Sequence, residues 1–98
     1  MADSGKNRTR NNPYEETFLG ENTYVRTFRQ EQDSEDFKWH RDLEDRTVEP
    51  VGQTDWMVQM ENGLPKRIEG KIRIPKLEWH RVIKGTGDLT VRLTKNDN

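Results

Sequence analysis

The sequence predicts an all-β domain, a sandwich or barrel of short strands, on three observations. Short segments of alternating apolar and polar residues recur along the chain, separated by turn signals built from Gly, Pro and Asn. No stretch carries the 3.6-residue apolar stripe of an amphipathic helix. The third observation is a pair of echoing stretches, FKWHRDLEDR at 37–46 and KIRIPKLEWHRVIK at 71–84. They hold the chain's two histidines, His40 and His80, each preceded by Trp and followed by Arg. Three shared residues do not make an internal repeat, which requires self-similarity over a whole unit. They read as two strands delivering the same kind of side chain to one place.

The elements follow in order. Residues 17–20 contain Phe18 and Leu19 and read as a first short strand, and Gly20-Glu21-Asn22 as a turn. Residues 23–28 alternate Tyr24, Arg26 and Phe28 against Val25 and Thr27, an edge-type strand. The stretch 29–36 is an acidic polar loop; Ser34 precedes Glu35 and Asp36, but no apolar stripe follows to make a helix. Residues 37–42 read as the first histidine strand, 43–45 as a corner and 46–48 as renewed extension, interrupted by Pro50 and Gly52. The clearest alternation is 55–60, with Trp56, Val58 and Met60 on one face. Asn62-Gly63 predicts a hairpin turn, and Pro65 and Gly70 bracket another connection. Ile72 and Ile74 open a strand that Pro75 ends, 77–83 carries His80, and Gly85-Thr86-Gly87 turns into a last strand with Leu89, Val91 and Leu93.

Ninety-eight residues allow one domain with a modest core. Only 29% of residues are hydrophobic against 36% charged, which predicts a folded domain over 17–94 between flexible tails at 1–16 and 95–98. Three tryptophans on so small a core predict a two-fold homodimer, with the strand region 17–28 adding to a partner's sheet. The 17 basic and 18 acidic residues are interspersed, for a net charge of -1, so the sequence predicts neither nucleic-acid nor anionic-lipid binding. The absence of cysteine excludes disulfides, Cys-ligated zinc, iron–sulfur ligation and thiol nucleophiles. No apolar run is long enough for a membrane span and no secretory h-region follows Met1, which predicts a cytoplasmic protein; the sequon Asn7-Arg8-Thr9 would matter only outside the cell. Gly85-Thr86-Gly87 lacks the lysine and helix context of a phosphate loop.

Alternation places His40 and Asp42 side by side on one face of an extended 37–42, with Trp39 and Arg41 on the other. In the second stretch His80 and Val82 share a face, opposite Trp79, Arg81 and Ile83. Two histidines and a carboxylate in an apolar interior make a polar island that hydrogen bonds or a metal must satisfy.

At these residues the chain resembles the cupin superfamily. The first cupin motif is a glycine, five residues, His-x-His, three or four residues, a glutamate, six residues and a glycine. His40 stands at its first histidine, Asp42 replaces the second, and Asp45 precedes Gly52 at the glutamate's spacing, after a gap one residue short. The second motif is a glycine, five residues, Pro-x-Gly, two residues, a histidine, three residues and an asparagine. Gly70, Pro75 and His80 keep that order with one residue fewer before Pro75, while Leu77 stands for the second glycine and Lys84 for the asparagine. The first motif's leading glycine is missing. The resemblance spans 37–93 and implies a double-stranded β-helix, the jelly-roll or cupin barrel.

The resemblance also implies a small molecule bound at a metal, with His40, Asp42 and His80 as ligands and Asp45 as a fourth. Such an N/O donor set suits iron, manganese, nickel or zinc and leaves positions open for a substrate. The rival reading is an ion-pair network in which Asp42 or Asp45 pairs with Arg41 or Arg46. Trp39, Arg46, Gln59 and Trp79 are candidate substrate contacts; core packing or a dimer surface for the indoles, a partner to the ligand for Arg46 and a wetted face for Gln59 are the plainer roles. Glu44, Glu49, Glu61 and Glu69 read as surface charges. Two functional classes result: a metal-dependent oxygenase, isomerase or sensor, and a non-catalytic barrel that binds without metal or acts as an accessory subunit.

Overall fold

Period-2 alternation in the short strands decides what faces inward. The computed structural model of the protein describes residues 14–96. Eight strands follow in order: β1 (Tyr14–Gly20), β2 (Thr23–Phe28), β3 (Asp45–Pro50), β4 (Met57–Met60), β5 (Lys66–Arg67), β6 (Ile72–Ile74), β7 (His80–Ile83) and β8 (Leu89–Asn96). They form a five-stranded sheet, β1-β2-β8-β3-β6, and a three-stranded sheet, β5-β4-β7. All pairings are antiparallel. A single bridge between His40 and His80 adds one more crossing to the smaller sheet beside β7.

Inward positions of facing strands supply the core. Phe28, Trp56, Val58, Ile68, Leu89 and Val91 form one buried cluster between the sheets, with Phe37 and Val82 packed against it. Trp56 is fully buried, and its indole N–H donates to the Gly87 carbonyl at 3.0 Å, as an interior indole requires. Gly85 packs against this ring: a Cβ there would lie 2.8 Å from Trp56 Cδ1 and from the Trp56 backbone nitrogen. That close approach explains the glycine in the turn before β8. The fold is a two-sheet jelly-roll arrangement that stops short of closure, because β5 and β6 lie at the edges of different sheets.

Three expectations need correction. The strands reach into both expected tails: Tyr14 pairs with Phe28 in register, Glu15 and Glu16 make ion pairs with Arg29 and Arg26, and Lys95 and Asn96 pair with β3. The remaining tail positions, 1–13 and 97–98, and the sequon with them, lie outside the described residues. Second, 37–42 is not one continuous strand. Ser34 caps a 3-10 turn, Glu35–Phe37, its hydroxyl accepting from the Asp36 N–H at 3.1 Å, and the turn sends Phe37 to within 5.8 Å of the Trp56 ring. Burial of Phe37 outweighs extension there. Third, the two-residue strand β5 has no apolar alternation and is held by its pairing with β4 alone. Among the described residues no helix is long and apolar enough to cross a membrane.

Candidate metal centre

His40 and His80 exchange both backbone hydrogen bonds, at 3.0 and 2.8 Å, so they oppose each other directly and their side chains leave the sheet on the same, inner face. The rings stand 4.3 Å apart between centroids. Each Nδ1 lies 2.8 Å from a main-chain carbonyl two residues earlier, Lys38 O for His40 and Glu78 O for His80. A carbonyl only accepts, so each Nδ1 carries hydrogen, and in the neutral ring Nε2 presents a lone pair. Both Nε2 atoms face carboxylates, Asp36 Oδ1 at 3.5 Å from His40 and Asp42 Oδ2 at 3.3 Å from His80.

Asp42 completes the cluster. Its backbone carbonyl accepts from Leu77 N at 2.7 Å, tying the segment after His40 to the turn before β7. Its Oδ2 is buried and has no hydrogen-bond partner. With neutral rings, lone pairs of His40, His80 and Asp42 converge, their ligand atoms all within 4.8 Å of one another, and a cation added to Arg46, which lies 3.5 Å from Asp42 Oδ2, relieves that arrangement. The cation is a metal ion or a proton on His80. Ligands held at about 2.0–2.2 Å by one ion stand roughly 3–3.5 Å apart, so the 3.3 Å contact suits a shared ion. The residues present therefore fit a divalent metal.

The same geometry supports the proton. Burial pushes the Asp42 carboxyl up, but the His80 hydrogen bond, Arg46 and the two imidazoles outweigh it and hold it below the usual carboxylate range. Burial likewise opposes charge on His80, yet the bond to Asp42 and the Glu78 carbonyl raise its pKa above the ordinary 6.5. Arg46 Nε lies 3.5 Å from Asp42 Oδ2 and 2.6 Å from Glu44 Oε2. Glu44 is thus a half-buried partner of Arg46 rather than a surface charge.

The other expected site residues scatter. Asp45 is not in the cluster; one oxygen accepts from Lys76 N at 2.8 Å and the other meets Arg73 at 3.3 Å, because β3 turns its side chain toward the sheet edge. Arg46 lines the inner cavity. Gln59, Trp39 and Trp79 lie on the opposite face of the smaller sheet, Gln59 accepting from Arg81 Nε at 3.0 Å and donating to Gly63 O. Asp36, in the segment the sequence predicts as an acidic loop, reaches the site from the 3-10 turn. It also meets Arg26, a buried guanidinium held by Glu16 at 2.6 Å. The visible signal was Ser34 before two acidic residues, a capping pattern without a following helix. The cavity bounded by these groups and by Val82, Leu89 and Leu93 holds about 50 Å³, room for a few waters beside a metal and too little for a sugar or a drug-sized ligand.

Leu77, at the position of the second motif's glycine, has φ 66°, and Gly52 and Gly70 also have positive φ. The backbone keeps the left-handed turn that the motif glycine allows, here with a leucine in it. No protein-family model and no curated protein matches the chain in sequence. Solved structures do match it in three dimensions. A candidate mannose-6-phosphate isomerase from Ralstonia eutropha aligns with TM-score 0.61 at 13% identity over 87% of this chain and 83% of its own. A cupin domain from Bordetella pertussis aligns with TM-score 0.55 at 18% identity, covering 85% and 91% of the two chains. The fold is that of the cupin superfamily. A Neisseria meningitidis protein also aligns with TM-score 0.59 at 16% identity over 97% of this chain and 98% of its own.

Proposed function

We propose that this cupin-fold protein binds one divalent metal ion through His40 Nε2, His80 Nε2 and Asp42 Oδ2. The observation that carries the reading is the buried, unpartnered Asp42 oxygen beside two imidazoles whose carbonyl contacts turn their Nε2 lone pairs toward it. An ion held by two imidazoles and one carboxylate keeps positions open and supplies Lewis acidity, or redox chemistry if it is iron or manganese. Arg46 holds the carboxylate from behind, and the small cavity limits an inner ligand to a few atoms. Metal-dependent chemistry or sensing of such a ligand follows from that room, in place of a ring-sized substrate inside the barrel.

Elemental analysis of protein purified without an affinity tag, then calorimetric titration with iron(II), manganese(II), nickel(II) and zinc(II), tests the reading. Tight binding by the wild type and none by His80→Ala supports it; equal behaviour of the two proteins rejects it. A second, metal-free reading draws on the raised His80 and lowered Asp42 pKa. It expects no bound metal and a loss of stability in His80→Ala, because Asp42 then loses its buried partner. We also propose that β1, the outer strand of the larger sheet with Phe18 and Leu19 exposed, pairs with a second copy. Sedimentation equilibrium showing only monomer at micromolar concentration overturns the dimer.

A further inference from the structure

The outer face of the same histidine bridge has no role in the metal reading. Its register sets Trp39 opposite Arg81 and Arg41 opposite Trp79, and each guanidinium stacks on the indole across from it, at 4.9 and 5.1 Å from the ring centroid. The row beyond continues on β4 with Gln59 beside Arg81 and Glu61 beside Trp79, whose carbonyl accepts the Glu61 N–H at 3.0 Å. Six planar side chains therefore tile one exposed face. Both indoles are about two-fifths exposed, at 42% and 39%. With Glu61 they line an open depression of about 350 Å³, several times the inner cavity and in the range of small-ligand sites.

The chemistry of the face selects its ligand. Among the described residues neither Arg41 nor Arg81 meets a carboxylate; Arg81 spends only its Nε, on Gln59, so guanidinium edges are free to take an anion in a fork. The parts of the two indoles that remain exposed beside the stacked guanidinium groups offer apolar surface for the C–H face of a ring. Glu61, an exposed acceptor, favours a ligand that brings a donor, which a phosphate monoester dianion or a benzoate-type acid lacks and a ring hydroxyl provides. A ring carrying hydroxyl groups and a carboxylate meets all three demands. We propose that Trp39, Trp79, Glu61, Arg41 and Arg81 form a surface site for an acidic sugar of the uronate type, presented by a chain or its end because the depression is open. The site stands apart from the metal reading and does not depend on it.

Tryptophan fluorescence of EDTA-treated protein reads the site directly, because Trp39 and Trp79 are exposed while Trp56 is enclosed in the core. Titration with digalacturonic acid should give a saturable change. Its neutral dimethyl ester, Arg41→Gln and Arg81→Gln should each bind about tenfold more weakly, the loss expected for one charge-assisted hydrogen bond. Glu61→Gln, which keeps an acceptor and the shape, should bind within about threefold of the wild type, whereas Glu61→Leu should lose binding. Near-ultraviolet circular dichroism of each variant confirms that the fold persists. Equal binding of acid and ester, or wild-type binding by both arginine variants, overturns the acidic-sugar assignment. No saturable change with either compound at millimolar concentration overturns the site.

Discussion

The two faces of one β-bridge do opposite things with the same three-residue echo. Inside, His40 and His80 meet Asp42 in a small buried space where unpaired lone pairs are costly and an added cation would relieve them. Outside, Trp39 with Arg81 and Trp79 with Arg41 stack in contact with solvent, where a cation–π pair contributes little to folding and remains available to a ligand. Burial, rather than residue type, makes one side of a Trp-His-Arg triplet a candidate coordination site and the other a candidate recognition surface.

The largest expected difference between the faces is in metal affinity. His80→Ala should lose more than about 100-fold, beyond the usual cost of disturbing a ligand's supporting group, while Trp79→Phe should change affinity less than about threefold. Calorimetry on both variants checks this, and a comparable loss in the two would erase the distinction between the faces.

The pH dependence of stability sharpens it. The folded Asp42 carboxyl lies below its ordinary 3.8, so its contribution is present above that value and is lost as pH falls through the folded pKa. The folded His80 lies above its ordinary 6.5, so its contribution is complete below that value and is lost as pH rises through the folded pKa. Metal-free protein should therefore lose part of its urea stability as pH rises above 6.5 and through the folded His80 pKa. The increment from added metal should grow over the same range, because protons no longer compete for the imidazoles. His80→Gln should flatten both trends. Outer-face variants such as Arg81→Gln should keep them.

The turn that ties the inner site together gives a smaller effect. Replacing Leu77, half-exposed and at φ 66°, with glycine should raise stability by about 1 kcal/mol, as relief of a left-handed conformation outweighs the extra freedom of the unfolded chain. Thermal unfolding checks the sign. Smallest is the outer coupling: a double-mutant cycle on Arg41 and Trp79 should give about 0.5 kcal/mol, unchanged by metal or EDTA.

Much of this was legible in the chain. The alternation at 23–28, 55–60 and 89–93 identified three strands, although β2 runs between β1 and β8 rather than at an edge, and the spacing of His40, Asp42 and His80 placed the three polar groups together. Asp45 illustrates the limit. Its spacing to Gly52 matched the motif, but β3 aims its side chain at Arg73 and Lys76. Asp36 shows the converse, since nothing local distinguishes it from its acidic neighbours until the 3-10 turn brings it beside His40.

By itself the sequence determined the strand periodicity, the absence of thiol chemistry and the pairing of two Trp-His-Arg triplets, because these depend on residue type and order along the chain. Only the tertiary structure decided which face of each triplet is buried, that Nδ1 of both histidines is taken by carbonyls, and that Asp42 Oδ2 is left without a donor. Those outcomes depend on which strands meet and how closely the sheets approach, and desolvation, which gives them their energy, arises only when the layers have packed.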